Sequence, residues 1–110
     1  MAHAIVDLTT DIMASDVLLL DISEVTIIAD YFVIATGETD RQRRAISHHV
    51  VDEMRQKHDI RPLATEGVGG SGWILLDYGA IVVHIFSPEQ RRNYRLEELW
   101  EKARTVVRIA

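Results

Sequence analysis

The chain has 110 residues, of which 47% are hydrophobic and 26% are charged, and its formal net charge is -5 at pH 7. This length and balance predict one folded domain over residues 1–110, and the acidic charge disfavours nonspecific nucleic-acid binding while suiting a basic protein partner. The chain has no cysteine, which excludes disulfides, zinc–thiolate sites and cysteine nucleophiles.

The N-terminal segment is predicted to form an amphipathic helix, because Ile5, Leu8 and Ile12 recur at helical spacing. It lacks the basic region of a secretory signal, and no apolar run reaches the roughly 20 residues of a membrane span. We therefore expect a cytoplasmic protein. The apolar run 17–20 then predicts a buried strand, and the aromatic and β-branched run 31–36 predicts a second.

A long helix is predicted from about Asp40 to His58. Thr39 and Gln42 match a capping box, in which the hydroxyl accepts a backbone N–H at the start of the helix. An apolar stripe follows at i, i+4 and i+8: Ile46, Val50 and Met54. We expect the helix to stop before Pro62, because proline restricts the residue that precedes it. Residues 63–65 then predict a short edge strand.

The segment 73–86, WILLDYGAIVVHIF, predicts a β-hairpin whose turn is Tyr78–Gly79. Three cross-strand pairs follow from that turn: Asp77–Ala80, Leu75–Val82 and Trp73–His84. Side chains alternate across the pleat, so one face carries only aliphatic residues: Ile74, Leu76, Ile81, Val83 and Ile85. The other face is mixed: Trp73, Leu75, Asp77, Val82, His84 and Phe86. We expect helices against the aliphatic face and a mixed face that is open to a partner.

A last helix is predicted to begin after Ser87, with Pro88 in the first turn and Gln90 closing a capping box. Helical spacing continues through Leu96, Leu99, Trp100 and Ala103. The order helix, two strands, helix, strands and helix predicts an α/β fold, with a mixed sheet and helices packed on one face. We assign no structure to residues 105–110.

The segment 67–72, GVGGSG, has the spelling G-x-G-x-x-G of a dinucleotide-binding loop. Such a site requires a helix after the loop, so that the N-terminus of the helix faces the pyrophosphate. Here the run 73–76, WILL, predicts a strand. We therefore interpret the segment as a flexible loop without a phosphate site.

The histidines do not form a metal-binding pattern. His48 and His49 are adjacent on the predicted helix and point to different sides, so we interpret them, with His58, as solvated. The arginines lie near acidic residues and are interpreted as solvated helix surface: Arg41, Arg43, Arg44, Arg91 and Arg92. His84 interrupts an apolar strand, and both a core role and a surface role stay open. We predict no metal and no cofactor.

Two stretches carry a family resemblance: residues 30–46, DYFVIATGETDRQRRAI, and residues 66–100, which include WILLDYG, VVHIF and YRLEELW. Together they resemble the Iojap family, the ribosomal silencing factors, also called RsfS. The resemblance implies a nucleotidyltransferase-like α/β fold used for binding. It also implies attachment to the universal large-subunit ribosomal protein number fourteen, steric opposition to subunit joining and repression of translation. Organelle relatives are linked to assembly of the large subunit.

The family motif W-x-L-L-D-Y-G falls on residues 73–79, on the hairpin whose mixed face we expect to be open. Trp73 is as compatible with the core as with an interface. We predict that the centre of a partner-binding surface is formed by Trp73, Leu75, Asp77, Tyr78 and His84, with Asp30 and Tyr31 at its edge. Ala80 stands where many relatives have an acidic residue, a departure that would weaken a contact with a basic partner.

Two other functions stay open. A nucleotide-binding protein or nucleotidyltransferase-type enzyme would use the same fold, but it requires a Gly-Ser turn and a D-x-D pair to hold divalent metals. The chain has Gly37-Glu38 and no D-x-D, so we predict that it is not an enzyme. A structural dimer module would self-associate without binding ribosomes, and a homodimer stays open as an assembly state.

Overall fold

The computed structural model describes residues 2–67, 70–94 and 104–109. Within these residues the chain forms three helices and six strands, in this order: α1 Ala2–Asp11, β1 Ser15–Asp21, β2 Tyr31–Thr36, α2 Asp40–His58, β3 Ala64–Glu66, β4 Trp73–Asp77, β5 Ile81–Phe86, α3 Pro88–Tyr94 and β6 Arg104–Ile109. The strands form one sheet in the order β3-β4-β5-β2-β1-β6. Only β2 and β5 are parallel neighbours, so the sheet is mixed, and the predicted α/β class is confirmed.

Both faces of the sheet are apolar. One face packs against α1 and α2 through a core that includes Ile5, Val33, Val50 and Ile85. The opposite face holds a second buried cluster: Leu18, Leu20, Ile22, Ala29, Phe32, Ile34, Val82 and Phe86. The expectation of a mixed face that is open to solvent is therefore wrong at the centre of the sheet, where β1, β2 and β5 are buried from both sides.

The bounds of α2 match the prediction, and its caps explain them. The Gln42 N–H donates to the Thr39 hydroxyl over 3.0 Å, and the Gln42 side-chain oxygen accepts from the Glu38 N–H over 2.7 Å. The helix ends because Asp59 adopts a left-handed conformation, with φ 54°, and returns its N–H to the Arg55 carbonyl. This local cap ends the helix three residues ahead of Pro62.

Two arginines that we expected to be solvated are buried. The Arg43 guanidinium donates to the Gly37 carbonyl over 2.8 Å and pairs with Asp40. Arg91 donates to the Asp16 carbonyl and to the Thr36 hydroxyl, each over 2.8 Å. Both arginines satisfy oxygens at or next to the ends of strands β1 and β2, and buried oxygens require such donors. Ala35 belongs to the core under α1 and α2, which we call the helix-covered core, and Thr36 points to the opposite face of the sheet. The hydrogen bond from Arg91 to Thr36 therefore holds α3 on that opposite face, and the prediction that the helices pack on one face is wrong for α3.

The hairpin differs from the prediction in its register. Its turn is Gly79–Ala80, closed by a hydrogen bond from the Tyr78 N–H to the Ile81 carbonyl, and Gly79 has φ +83°. The observed pairs are Trp73–Phe86, Leu75–His84 and Asp77–Val82. The predicted pairs are thus shifted by two residues. A shift of two keeps every side chain on its predicted face.

Several smaller predictions have mixed outcomes. The edge strand predicted at 63–65 is β3, one residue later. Residues 70–72 lead into strand β4, as predicted. Gly67 is required because a Cβ there would lie 1.9 Å from the Trp73 carbonyl oxygen. Ser87 caps α3, but the Gln90 amide donates to the Ser71 carbonyl and does not close a capping box. The helical continuation through Ala103 lies outside the described residues.

Strand β6 was not predicted. It pairs antiparallel with β1 at the edge of the sheet, and the β-branched pair Val106 and Val107 packs against the helix-covered core. Within the described residues, every helix is too short or too polar to traverse a bilayer.

Candidate functional site

Strand β4 carries the part of the predicted surface that is accessible. Its residues alternate between half-buried and buried, so that Trp73, Leu75 and Asp77 stay half-buried on the face away from α1 and α2. On the other face Ile74 and Leu76 are buried in the helix-covered core. The edge strand β3 lies beside β4, and its three residues are exposed. We call the three half-buried residues Trp73, Leu75 and Asp77 the β4 row.

A cleft opens where the β4 row meets the glycine loop. It has a volume of about 390 Å³ and is lined by Glu66, Gly67, Ser71, Trp73, Leu75 and Gln90. Glu66 is exposed, and among the residues that the structure describes its carboxylate has no ion pair. The Gln90 amide holds the loop through the Ser71 carbonyl over 3.3 Å. The cleft therefore combines an indole, an aliphatic wall and an unpaired carboxylate.

His84 is 4% exposed and lies directly behind Trp73. The indole N–H of Trp73 donates to Nδ1 of His84 over 3.2 Å, so the neutral imidazole carries its proton on Nε2. The His84 ring also meets Phe32 edge-on, with ring centroids 4.7 Å apart. His84 is thus a buried acceptor that orients Trp73, and the prediction that it lies on the surface is wrong.

Burial lowers the pKa of His84 to about 4, because an imidazolium ion would be poorly solvated among these aromatic rings. The Nε2 atom is buried without a hydrogen-bond partner in the described part of the chain. His84 is therefore neutral at pH 7 and contributes no charge to the site.

Two tyrosines of the predicted surface lie on the opposite side of the sheet. Tyr78 is buried in the helix-covered core, where burial raises the pKa of its phenol to about 12 and leaves its hydroxyl without a partner among the described residues. Tyr31 packs against the same core. Alternation along the strands dictates both positions, because residues 74, 76 and 78 share one face and residues 31, 33 and 35 do the same. Neither tyrosine can join a contact made by the β4 row.

Asp77 and Asp30 meet at the hairpin turn. Oδ1 of Asp77 accepts the Gly79 N–H over 2.8 Å, which stabilises the turn. The Ala80 carbonyl accepts the N–H groups of Asp30 and Tyr31 over 2.7 and 3.0 Å. Asp30 is exposed at this end of the sheet. The structure therefore brings the two predicted aspartates to the same end, with Trp73 at the other end of β4.

Sequence reasoning missed the exposed aliphatic residues at the same end. Ile27 and Ile28 in the loop between β1 and β2, and Leu63 before β3, expose most of their side chains. It also missed Glu66, because the cleft that this residue lines is formed only in the fold. The only sequence signal was an isoleucine pair between a strand end and Asp30, and such a pair is equally compatible with the core.

The charges at this end of the sheet are mostly negative. Hydrogen bonds from the Ser23 hydroxyl and N–H, and then from Arg104, lower the pKa of Asp21 to about 2, so this carboxylate is ionised at neutral pH. In the described ranges, no group of three or more histidine, aspartate or glutamate side chains could hold a metal ion. The chemistry that these side chains offer is contact with apolar and cationic groups.

Comparison with known proteins gives the family. The model of the family described as "Ribosomal silencing factor during starvation" matches residues 1–109. The chain belongs to the ribosomal silencing factor family. The resemblance drawn from residues 30–46 and 66–100 is thereby confirmed.

Individual relatives agree with that membership. The chain is 38% identical over 93 residues to the ribosomal silencing factor of Bacillus subtilis, covering 84% of this chain and 78% of that protein. It is 33% identical over 89 residues to the mouse "Mitochondrial assembly of ribosomal large subunit protein 1", covering 79% of this chain and 39% of the mouse protein. A crystal structure from Chromobacterium violaceum superposes with a TM-score of 0.85 at 28% identity, covering all of this chain and 96% of the other. The relatives of this family are named as regulatory or assembly factors.

Replacing His84 by Phe is expected to reduce the pH dependence of stability. The unfolded chain binds a proton near pH 6.5 and the folded chain only near pH 4, so the native state loses stability as the pH falls from 7 towards 4. We expect His84 to account for about 2–3 kcal/mol of that loss between pH 7 and pH 4.5. Urea unfolding at both pH values measures it, with the exposed His58→Gln as the control. An equal loss in His84→Phe and in the unsubstituted protein would contradict the buried, neutral histidine.

Replacing Tyr78 by Phe separates the core role of this residue from a contact role. The substitution removes a buried hydroxyl that has no partner in the described part of the chain, so the free energy of unfolding should stay equal or rise by about 1 kcal/mol. Affinity for large ribosomal subunits should not change. A tenfold loss of affinity with unchanged stability would return Tyr78 to the binding surface.

Proposed function

We propose that this chain binds the large ribosomal subunit through the universal large-subunit ribosomal protein number fourteen, and that it hinders the joining of the small subunit. Family membership supports a ribosomal role, and the mouse relative is named for assembly of the large subunit. The observation that carries the proposal is the half-buried β4 row beside the exposed carboxylate of Glu66, which has no ion pair among the described residues, on a chain of net charge -5. Such a surface suits a basic ribosomal protein.

The contact would combine apolar burial with a charged interaction. Trp73 and Leu75 supply apolar area, and each Å² removed from water contributes roughly 25 cal/mol. Trp73 has its polar edge turned towards His84, so it offers hydrocarbon and ring surface to the cleft. A lysine or arginine of the partner that enters the cleft would meet this ring and the Glu66 carboxylate together. This arrangement favours a cationic side chain over a neutral one.

Silencing by this route requires occupancy and bulk, with no chemical step. The chain measures about 32 × 32 × 23 Å, which is large enough to keep two subunits apart when it is held on the surface where they meet. About 800 Å² buried on each partner would be ordinary for such a contact. We accordingly propose a non-enzymatic factor that acts in the cytoplasm, where subunits join.

Co-sedimentation with isolated large and small subunits tests the proposal. The chain should pellet with large subunits only, and it should lower the fraction of complete ribosomes that form when the two subunits are mixed. Glu66→Lys should weaken binding at least tenfold, because it places a cation against the partner's cation. The matched control is Asp52→Lys, which makes the same charge change on the exposed side of α2.

Two results would contradict the proposal. One is binding to small subunits with equal or greater affinity. The other is an equal loss of affinity in the Glu66 and Asp52 variants, because that would indicate a general charge effect. Calorimetry with ATP and magnesium addresses the competing enzyme function, and the proposal predicts no heat of binding.

A further inference from the structure

Four large hydrophobic residues are exposed together at one end of the sheet. Ile27 is fully exposed, Leu63 is 77% exposed and Ile28 is 69% exposed, and Val25 is exposed to a lesser degree. We call these four residues the aliphatic rim. In the described residues, only Met13 and Ile109 are exposed large hydrophobics elsewhere. Exposed aliphatic side chains that are clustered, in contrast to single ones, indicate an interaction surface.

Hydrogen bonds bring the two parts of the rim to the hairpin turn. The Leu63 N–H donates to the Asp77 carbonyl over 2.6 Å, and a Cδ of Leu63 lies 3.5 Å from the place a Cβ would take on Gly79. On the other side of the turn, the Asp30 N–H donates to the Ala80 carbonyl. The loop with Val25, Ile27 and Ile28 therefore flanks one side of the turn, and Leu63 flanks the other.

The exposure of the isoleucines is built into the loop. Ile22 and Ala29 are buried at its two ends and anchor it in the second core cluster. The N–H groups of Val25 and Thr26 donate to the Ile22 carbonyl, and the Ile28 N–H donates to the Thr26 hydroxyl over 3.2 Å. These hydrogen bonds form a turn between the two anchors, and Ile27 and Ile28 lie on its exposed side. A preorganised apolar loop loses little conformational freedom on binding.

The charges around the rim define its partner. Glu24, Asp30 and Asp77 border it, and in the described part of the chain none of the three has an ion pair. In the described part of the chain, Arg104 pairs with Asp21 over 3.0 Å, and Arg61 lies 3.6 Å from Asp59. A second copy of this acidic chain would bring like charges together. A basic protein surface with an apolar centre is complementary.

We propose that the aliphatic rim is a second contact area for the same ribosomal protein, and that it receives an apolar patch bordered by lysine or arginine. This inference rests on the proposed function, because it takes the partner from there. Asp77 belongs to the β4 row and also borders the rim, so the two areas form one continuous surface around the end of β4. The rim would supply burial, and the cleft would supply the charged contact.

The test replaces Ile27 and Ile28 by Ser together and measures affinity for isolated large subunits. The double variant should bind about 30-fold more weakly, because two large apolar side chains are lost from the contact. The control is Met13→Ser, which removes a side chain that is 81% exposed after α1, and it should bind as the unsubstituted chain does. The thermal unfolding temperature of the double variant should equal that of the unsubstituted chain. If it is lower, the single variant Ile27→Ser replaces the double variant in the test, and its affinity for large subunits should fall about fivefold.

The outcomes separate this inference from the proposed function. If the unsubstituted chain binds large subunits and the double variant binds equally well, the rim is not a contact area, and the proposed function stands. If the unsubstituted chain does not bind, both are overturned. If the double variant converts a dimer to a monomer in light scattering without loss of ribosome affinity, the rim belongs to a second copy, which also overturns the inference.

Discussion

The burial of the central sheet on both faces is the constraint on which the rest of the structure depends. The parallel pair of β2 and β5 carries aliphatic side chains towards α1 and α2, and it carries Phe32, Ile34, Val82 and Phe86 towards the other side. Continuous burial of this kind is what holds a small sheet of six strands together. It also removes the middle of the sheet from any role in recognition. The proposed contacts therefore lie at the β3 edge of the sheet and at the end that carries the hairpin turn.

The pair of Trp73 and His84 connects that core with the proposed surface. A histidine in an apolar strand costs stability unless its polar atoms are satisfied, and one of them accepts the indole N–H. The same hydrogen bond holds the indole at the margin of the core, where the indole lines the cleft beside Glu66. A buried polar residue thereby determines the orientation of an accessible aromatic one. Of these two side chains, Trp73 is accessible to a partner, and His84 holds it in position from inside the core.

Local signals in the sequence predicted most of the helices and strands. They did not predict how these elements pack against one another. The capping residues Thr39 and Gln42 located α2, and alternation placed each hairpin side chain on its correct face. Alternation cannot say what covers a face, so the sequence left both a core role and a surface role open for His84, which is buried. The turn was misplaced by one residue because either Tyr78–Gly79 or Gly79–Ala80 puts a glycine in the loop. The exposure of Ile27 and Ile28 depends on the buried anchors Ile22 and Ala29, which only the fold identifies.

Hydrogen–deuterium exchange of the chain, alone and bound to isolated large subunits, tests the central claim most directly, because it compares the end of the sheet with the helix-covered face in one measurement. Binding should slow amide exchange in residues 22–30 and 63–80, and it should leave residues 46–58 of α2 unchanged. Protection of α2 with no change in residues 22–30 would contradict the account, because the partner would then dock on the helices and not around the end of the sheet.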